Sequence, residues 1–167
     1  MDEANWLSAE EERAWRGYRR MRTLLDLQIA RDLARDSHLS EADYDVLSTL
    51  TEKPGRNWRA SELAAQLLWS TSRLAHHLGR MEGRGLIARG ECAEDGRGAT
   101  VTLTGAGWAA LQAAAPEHVA SVRRHFIDLL TPPEVQALAA VAGKVLAHLA
   151  EPETTPQGSR PRDTGQE

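Results

Sequence analysis

Apolar residues recur along this chain at helical spacing in six stretches, each opened by a capping residue or closed by a breaker. Ser8-Ala9-Glu10-Glu11 has the layout of a capping box, a hydroxyl for an orphan N–H and a glutamate three residues on to reach back. It predicts a long helix to about Asp36, carrying Leu24, Leu25, Leu27, Ile29 and Leu33. Ser40 with Asp43 opens a second helix with Tyr44, Val46, Leu47 and Leu50, and Pro54-Gly55 breaks the chain after it. A short extended piece, Asn57-Trp58-Arg59, leads to Ser61, the expected cap of a compact third helix containing Leu63, Ala64, Leu67 and Leu68. Ser70 is expected to cap a fourth that runs to about Arg84 and is closed by Gly85.

Two short helices joined by a tight turn, the second of them basic, form a helix-turn-helix. Leu86-Ile87-Ala88-Arg89 and Ala99-Thr100-Val101-Thr102-Leu103 then read as two strands. The glycines of Glu94-Asp95-Gly96-Arg97-Gly98 between them suit a hairpin tip, which makes the pair a wing. Thr104 can cap a helix from Gly105 to about Leu130, with Pro116 expected to bend or interrupt it. Thr131-Pro132-Pro133-Glu134 starts the last helix, with Val135, Leu138, Val141, Val145 and Leu149 on one stripe. From Glu151 onward prolines, glycines and polar residues leave nothing to bury, so 151–167 is expected to be a disordered tail. The fold class is therefore mainly α with a small β-hairpin wing: a winged helix-turn-helix over about 40–104, flanked by N- and C-terminal dimerisation helices over about 8–36 and 116–150, all in one domain of 1–150.

The composition is that of a globular chain, 41% hydrophobic and 26% charged in 167 residues. No apolar run is long enough for a membrane span, and the acidic start lacks the layout of a signal peptide. The single cysteine, Cys92, excludes an internal disulfide, and a reducing, cytoplasmic setting is expected. A net charge of -4 argues at first against a nucleic-acid partner, but its distribution reverses the argument. Residues 53–98 hold eight basic and five acidic groups, whereas 1–52 hold seven against twelve and 99–167 five against seven. The local field decides attraction to phosphates, and the middle of the chain is its basic part.

The helix after Ser70 is the most informative segment. Arg73, His76, His77, Arg80 and Arg84 follow one another at i, i+3, i+4, i+7 and i+11, while Leu74, Leu78 and Met81 form a separate apolar stripe. One edge is thus fit to be buried and another to carry long donors into a major groove. Ser70, Thr71 and Ser72 stand at the N-terminus, where hydroxyls, N–H groups and the helix dipole favour phosphate. The expected DNA contacts are Ser70, Thr71, Ser72, Arg73, His76, His77 and Arg80, with Arg97 at the wing tip for a minor groove and Asp95 supporting the wing. Adjacent histidines point about 100° apart on a helix, so His76-His77 is read as polar contact and not as a metal site.

These residues also carry a family resemblance. Ser61-Glu62-Leu63-Ala64, Ser72-Arg73-Leu74, Arg80-Met81-Glu82-Gly83-Arg84-Gly85-Leu86-Ile87, Asp95-Gly96-Arg97 and Val101-Thr102-Leu103-Thr104-Gly105-Ala106-Gly107 resemble the MarR family of bacterial regulators, and helix order agrees across about 8–150. The resemblance implies a homodimer on palindromic double-stranded operator DNA, commonly a repressor released by a small ligand, with Asp95 and Arg97 matching paired wing residues. One departure stands in the helix-turn-helix turn, where Leu68-Trp69 replaces the family's smaller residues, often Gly then Val.

Three further features are weighed. Trp15, with Tyr18, Arg19 and Arg22 on the first helix, could line a pocket for a small-molecule effector. Cys92 has only Arg89 nearby to activate it and acids at Glu91 and Glu94 to oppose that, so it reads as a spectator thiol. Asp43 and Asp45 have no His or Ser arranged with them in the sequence as a catalytic site, so no enzyme, cofactor or metal is expected. The competing class is a winged-helix interaction module whose basic helix meets an acidic protein partner.

Overall fold

The computed structural model describes residues 5–91 and 99–150, which fall into two compact units, one ending at Leu129 and one starting at Leu130. The first unit contains helices α1 (Ala9–Ser37) and α2 (Glu41–Leu50), strand β1 (Asn57–Arg59), helices α3 (Ala60–Gln66) and α4 (Thr71–Gly83), strands β2 (Ile87–Glu91) and β3 (Ala99–Leu103), and helix α5 (Gly105–His125). The second is helix α6 (Pro132–Ala150).

The capping boxes form as the sequence predicts. Ser8 accepts from the Glu11 N–H while Glu11 accepts from the Ser8 N–H at 2.8 Å, and Ser40 with Asp43 repeats the arrangement at α2. In the second unit the Glu134 carboxylate accepts from both the Thr131 N–H and the Thr131 hydroxyl, each at 2.7 Å. Ser70 caps α4, its hydroxyl accepting from the Arg73 N–H at 3.2 Å.

The sheet is antiparallel with order β1-β3-β2, so the extended piece before α3 becomes the third strand of the wing. This pairing also removes Ser61 from its expected role. Arg59 pairs opposite Thr100 and turns directly into α3 as its N-cap, with no side-chain cap, which leaves Ser61 inside the helix. The interruption expected at Pro116 does not occur, since the residue sits within an unbroken α5. Pro116 and Gln112 are both exposed, so the carbonyl that loses its partner meets water. Residue 116 is thus no element boundary, and α5 stops at His125, short of Leu130, before a 3₁₀ turn over Ile127–Leu129.

The core gathers Val46, Leu47 and Leu50 from α2, Leu63 from α3, Leu74, Leu78 and Met81 from α4, and Ile87, Val101 and Leu103 from the sheet. Leu111 and Ala114 of α5 and Leu33 of α1 join it. The apolar stripe expected on α4 is therefore the one that seats it. Thr104 welds α5 to the turn that leads into β2: its hydroxyl donates to the Gly85 carbonyl at 2.7 Å and accepts from the Gly107 N–H at 2.9 Å. A Cβ on Gly107 would stand 2.0 Å from the Leu86 carbonyl oxygen, which explains the glycine in Thr104-Gly105-Ala106-Gly107.

Candidate nucleic-acid interface

Helix α4 offers an outward edge of Ser70, Thr71, Ser72, Arg73, His76 and Arg80, all exposed. The Ser70 hydroxyl serves the cap and stands 3.3 Å from the Ser72 hydroxyl, so its oxygen fixes the helix N-terminus as well as facing out. Arg73 has no carboxylate partner among the described residues, and its guanidinium lies 4.0 Å over the Trp69 ring.

His77 does not share this edge. It is buried, 6% exposed, which corrects the outward placement that the i, i+4 stripe suggests. The stripe is wide enough that its inner margin faces α2. There, His77 Nε2 lies 3.1 Å from Asp43 Oδ1, close but out of line for a full hydrogen bond, and Arg80 Nη2 donates to Nδ1 at 2.7 Å. An acceptor Nδ1 corresponds to the uncharged ring, in keeping with burial, which holds the imidazole below its usual range against the pull of Asp43.

Asp43 is the centre of this arrangement. It caps α2, and it receives Arg84 Nη1 at 2.7 Å. Burial pushes its carboxyl up, but the hydrogen bonds from Arg84 and from the Ser40 cap outweigh burial and leave it low. Arg84 also donates to the His38 carbonyl at 3.4 Å. The sequence reading missed Asp43 as a partner of α4. Its only signal was a carboxylate at a capping position, which already had an occupation of its own.

Several cations of the basic middle are paired: Arg89 with Glu82 at 2.8 Å and Lys53 with Glu62. Lys53 and Arg56 lie over the rings of Trp58 and Trp108, at 4.0 and 3.7 Å. Among the described residues, the arginines on the outward edge of α4 are Arg73 and Arg80.

The turn before α4 holds the departure from small residues. Leu68 has φ +54 and is 92% exposed, while Trp69 turns inward and packs half-buried on the core. A left-handed residue explains why glycine suits that position.

The effector candidates lie on exposed α1. Trp15 and Tyr18 stack with ring centroids 5.8 Å apart, and Arg19 sits 6.0 Å over Trp15. Arg22 follows on the same side of the helix, and a shallow hollow of about 280 Å³ beside them is lined by Arg16, Arg19, Arg20 and Thr23. The wing-tip candidates Asp95 and Arg97, and Cys92, lie outside the described residues. Among the described residues no three His, Cys, Asp or Glu stand together to hold a metal ion, and no helix is long and apolar enough to cross a membrane.

This is the geometry of a winged helix-turn-helix protein. No protein-family model and no curated protein sequence matches the chain, whereas solved structures do. AbsC, a MarR family transcriptional regulator from Streptomyces coelicolor, is 39% identical with a TM-score of 0.82, over 87% of this chain and 98% of that one. Sco3205, a MarR family regulator of the same organism solved in complex with DNA, is 36% identical with a TM-score of 0.84, over 93% and 97%. BpsR of Bordetella bronchiseptica, studied for regulation of its DNA binding by 6-hydroxynicotinic acid, shares the fold at 23% identity and a TM-score of 0.67, over 77% and 89%. The chain belongs to the MarR family of transcriptional regulators.

Proposed function

We propose that this regulator is a homodimer that binds palindromic double-stranded operator DNA as a repressor, with α4 in the major groove and the wing in the minor groove. The observation that carries this reading is the outward edge of α4: hydroxyls at a helix N-terminus, followed by Arg73 without a carboxylate partner among the described residues. Ser70, Thr71 and Ser72 meet phosphate, Arg73 and His76 meet base edges, and Arg80 meets the backbone while bracing His77. Arg97 supplies the wing's cation and Asp95 orients it. The related regulator Sco3205 is solved in complex with DNA, which supports DNA as the partner.

Dimerisation is supported by apolar surface that a single chain leaves uncovered. On α1, Trp15, Tyr18, Met21, Leu24 and Leu27 are between 41% and 51% exposed, and on α6 Val135, Leu138, Val141, Val145 and Leu149 are between 37% and 72% exposed. A second copy covering these helices would build an interface of the obligate kind, burying about 2,000 Å² or more. A small aromatic anion held by Trp15, Tyr18, Arg19 and Arg22 on α1 would then act within that interface to release DNA. The protein acts in the cytoplasm, by binding and not by catalysis.

The test is a gel shift of the full chain on the DNA upstream of its own coding sequence, with sedimentation at low concentration. A retarded complex lost in Arg73→Ala, from a two-chain species, is the expected result. A one-chain mass removes the palindrome, and no shift on any duplex favours the acidic-partner module instead.

A further inference from the structure

We infer that Trp69 is a positioning residue for base reading by Arg73: its indole holds the guanidinium flat at the leading edge of α4 before DNA arrives. The inference rests on the reading that α4 enters DNA, and deepens it at one residue.

Three observations place Trp69 in this role. First, the Arg73 guanidinium carbon stands 4.0 Å from the Trp69 ring centroid, within cation–π range, although Arg73 itself is exposed. Second, the indole is not free to follow the arginine. Its backbone N–H donates to the Ala64 carbonyl at 2.9 Å, the ring packs on the core, and it lies perpendicular to the His77 ring, at 5.5 Å and 88°. His77 is in turn held by Arg80 and lies against Asp43. Third, the preceding Leu68 takes the left-handed conformation that turns residue 69 inward.

A stacked guanidinium keeps its N–H donors in the ring-parallel plane, directed away from the indole and open to a bidentate acceptor. An arginine with no such platform samples many rotamers, and ordering them on binding costs affinity. An ammonium at residue 73 or a small side chain at residue 69 would forfeit this ordering. The stack adds no charge, so its effect falls on sequence discrimination and leaves the electrostatic attraction to any duplex intact.

The experiment uses full-length wild type, Trp69→Leu, Trp69→Phe, Arg73→Ala and the Trp69→Leu/Arg73→Ala double variant. Each is titrated with the duplex that wild type selects from a randomised pool and with a duplex of arbitrary sequence. Trp69→Leu is expected to lose about 3- to 10-fold on the selected duplex, the size of an ordered side chain or a partly exposed cation–π contact. Its affinity and salt slope on the arbitrary duplex should match wild type, Trp69→Phe should retain most of the discrimination, and the Trp69→Leu loss should vanish in the Arg73→Ala background. The same fold loss with or without Arg73 would make Trp69 a packing residue only and overturn the inference. Arg73 side-chain protons in the DNA-free protein give an independent readout, since the indole should shift them upfield in wild type and not in Trp69→Leu. Unshifted signals in wild type overturn the inference whatever the DNA result. Failure of wild type to select any duplex removes the DNA reading itself, and the inference falls with it.

Discussion

Two buried carboxylates organise this chain in different ways. Asp32 on α1 is 2% exposed and takes Ser121 Oγ at 2.8 Å, His125 Nε2 at 2.9 Å, Arg35 Nη1 at 2.9 Å and Gln28 Nε2 at 3.1 Å. Two of those partners come from α5, so Asp32 ties the first and fifth helices into a frame. Asp43 on α2 is as buried but takes its long-range partners from α4 and its C-cap: His77 and Arg84. One carboxylate holds the frame, and the other holds the helix assigned to reading DNA. The Ser121 hydroxyl, with His125 and Arg35, brings Asp32 down to about 2 against the effect of burial. At Asp43 burial is the largest influence and is outweighed only by Arg84 and the cap together. The reading helix is thus held by the less richly satisfied of the two centres.

The largest expected effect comes from removing each carboxylate in turn. Asp32→Ala takes the carboxylate from Ser121, His125 and Gln28, while Arg35 keeps Asp36, and should give the greater fall in melting temperature. Asp43→Ala should cost about 2 kcal/mol, below the range for fully buried pairs because Arg84 is itself 43% exposed. Operator affinity per folded molecule separates the two: it should drop in Asp43→Ala, whose α4 loses its tether, and hold in Asp32→Ala. Equal losses of affinity would erase the distinction between frame and reading helix.

Next in size is the loss of Arg73, proposed to read bases. Arg73→Ala should weaken operator binding by about 1–3 kcal/mol per half-site, the range of a bidentate base contact, and leave the melting temperature unchanged. Competition titrations with operator and random DNA measure it. Equal losses on both would assign Arg73 to phosphate.

Acid should then act on the two sides in separate windows. Burial lowers His77 and also His118, whose ring lies 4.3 Å from Tyr44 and whose Nδ1 has no partner among the described residues. A lowered histidine means that the unfolded chain takes the proton first, so stability present above about 6.5 is lost as pH falls through that value. The carboxylates follow later: the Asp32 contribution stands above its usual 3.8 and is lost as pH falls toward about 2. Asp45 and Glu41 are raised by burial and act in the opposite sense, adding stability as pH falls. Melting curves from pH 7 to about 5 should therefore show falling stability that His118→Phe reduces in part. At pH 7 that variant should match wild type or gain up to about 1 kcal/mol, since it also removes an unpaired buried nitrogen. An unchanged pH slope would leave His77 as the sole source.

Much of this arrangement was legible because caps and stripes are local. Ser8, Ser40, Ser70, Thr104 and Thr131 each mark a helix start with a hydroxyl that satisfies a nearby donor or meets the carboxylate three residues on, and such bonds span three residues of chain. The exposed edge of α4 followed from its period in the same way. What stayed hidden depends on contacts between distant residues. His77 belongs by spacing to the polar stripe, and only the approach of α2 buries it. Asp32 reads as one more acid on a charged helix, and its four hydrogen bonds include two reaching about ninety residues onward to Ser121 and His125. Ser61 lost its capping role because β1 pairs with a strand forty residues away. Local chemistry was readable, and the polar interior was not.

The smallest effect concerns the backbone where the reading side bends. Leu68 holds φ +54 in the turn before α4, a conformation that costs a side-chain-bearing residue roughly 1–2 kcal/mol. Its side chain is 92% exposed and repays none of this by burial. Leu68→Gly removes the clash of Cβ with the following carbonyl, and glycine gives back about 0.5–1 kcal/mol through its freedom in the unfolded chain. The net gain should be about 0.5–1 kcal/mol, equivalent to a rise of roughly 2 °C in melting temperature for a domain of this size. Leu68→Ala serves as the control, because alanine keeps the Cβ and should leave stability unchanged. Operator affinity should hold in both, as Trp69 still turns inward under Arg73. A fall in melting temperature for both variants would show instead that the Leu68 side chain is covered in solution, and the turn would have to be counted as an interface of its own.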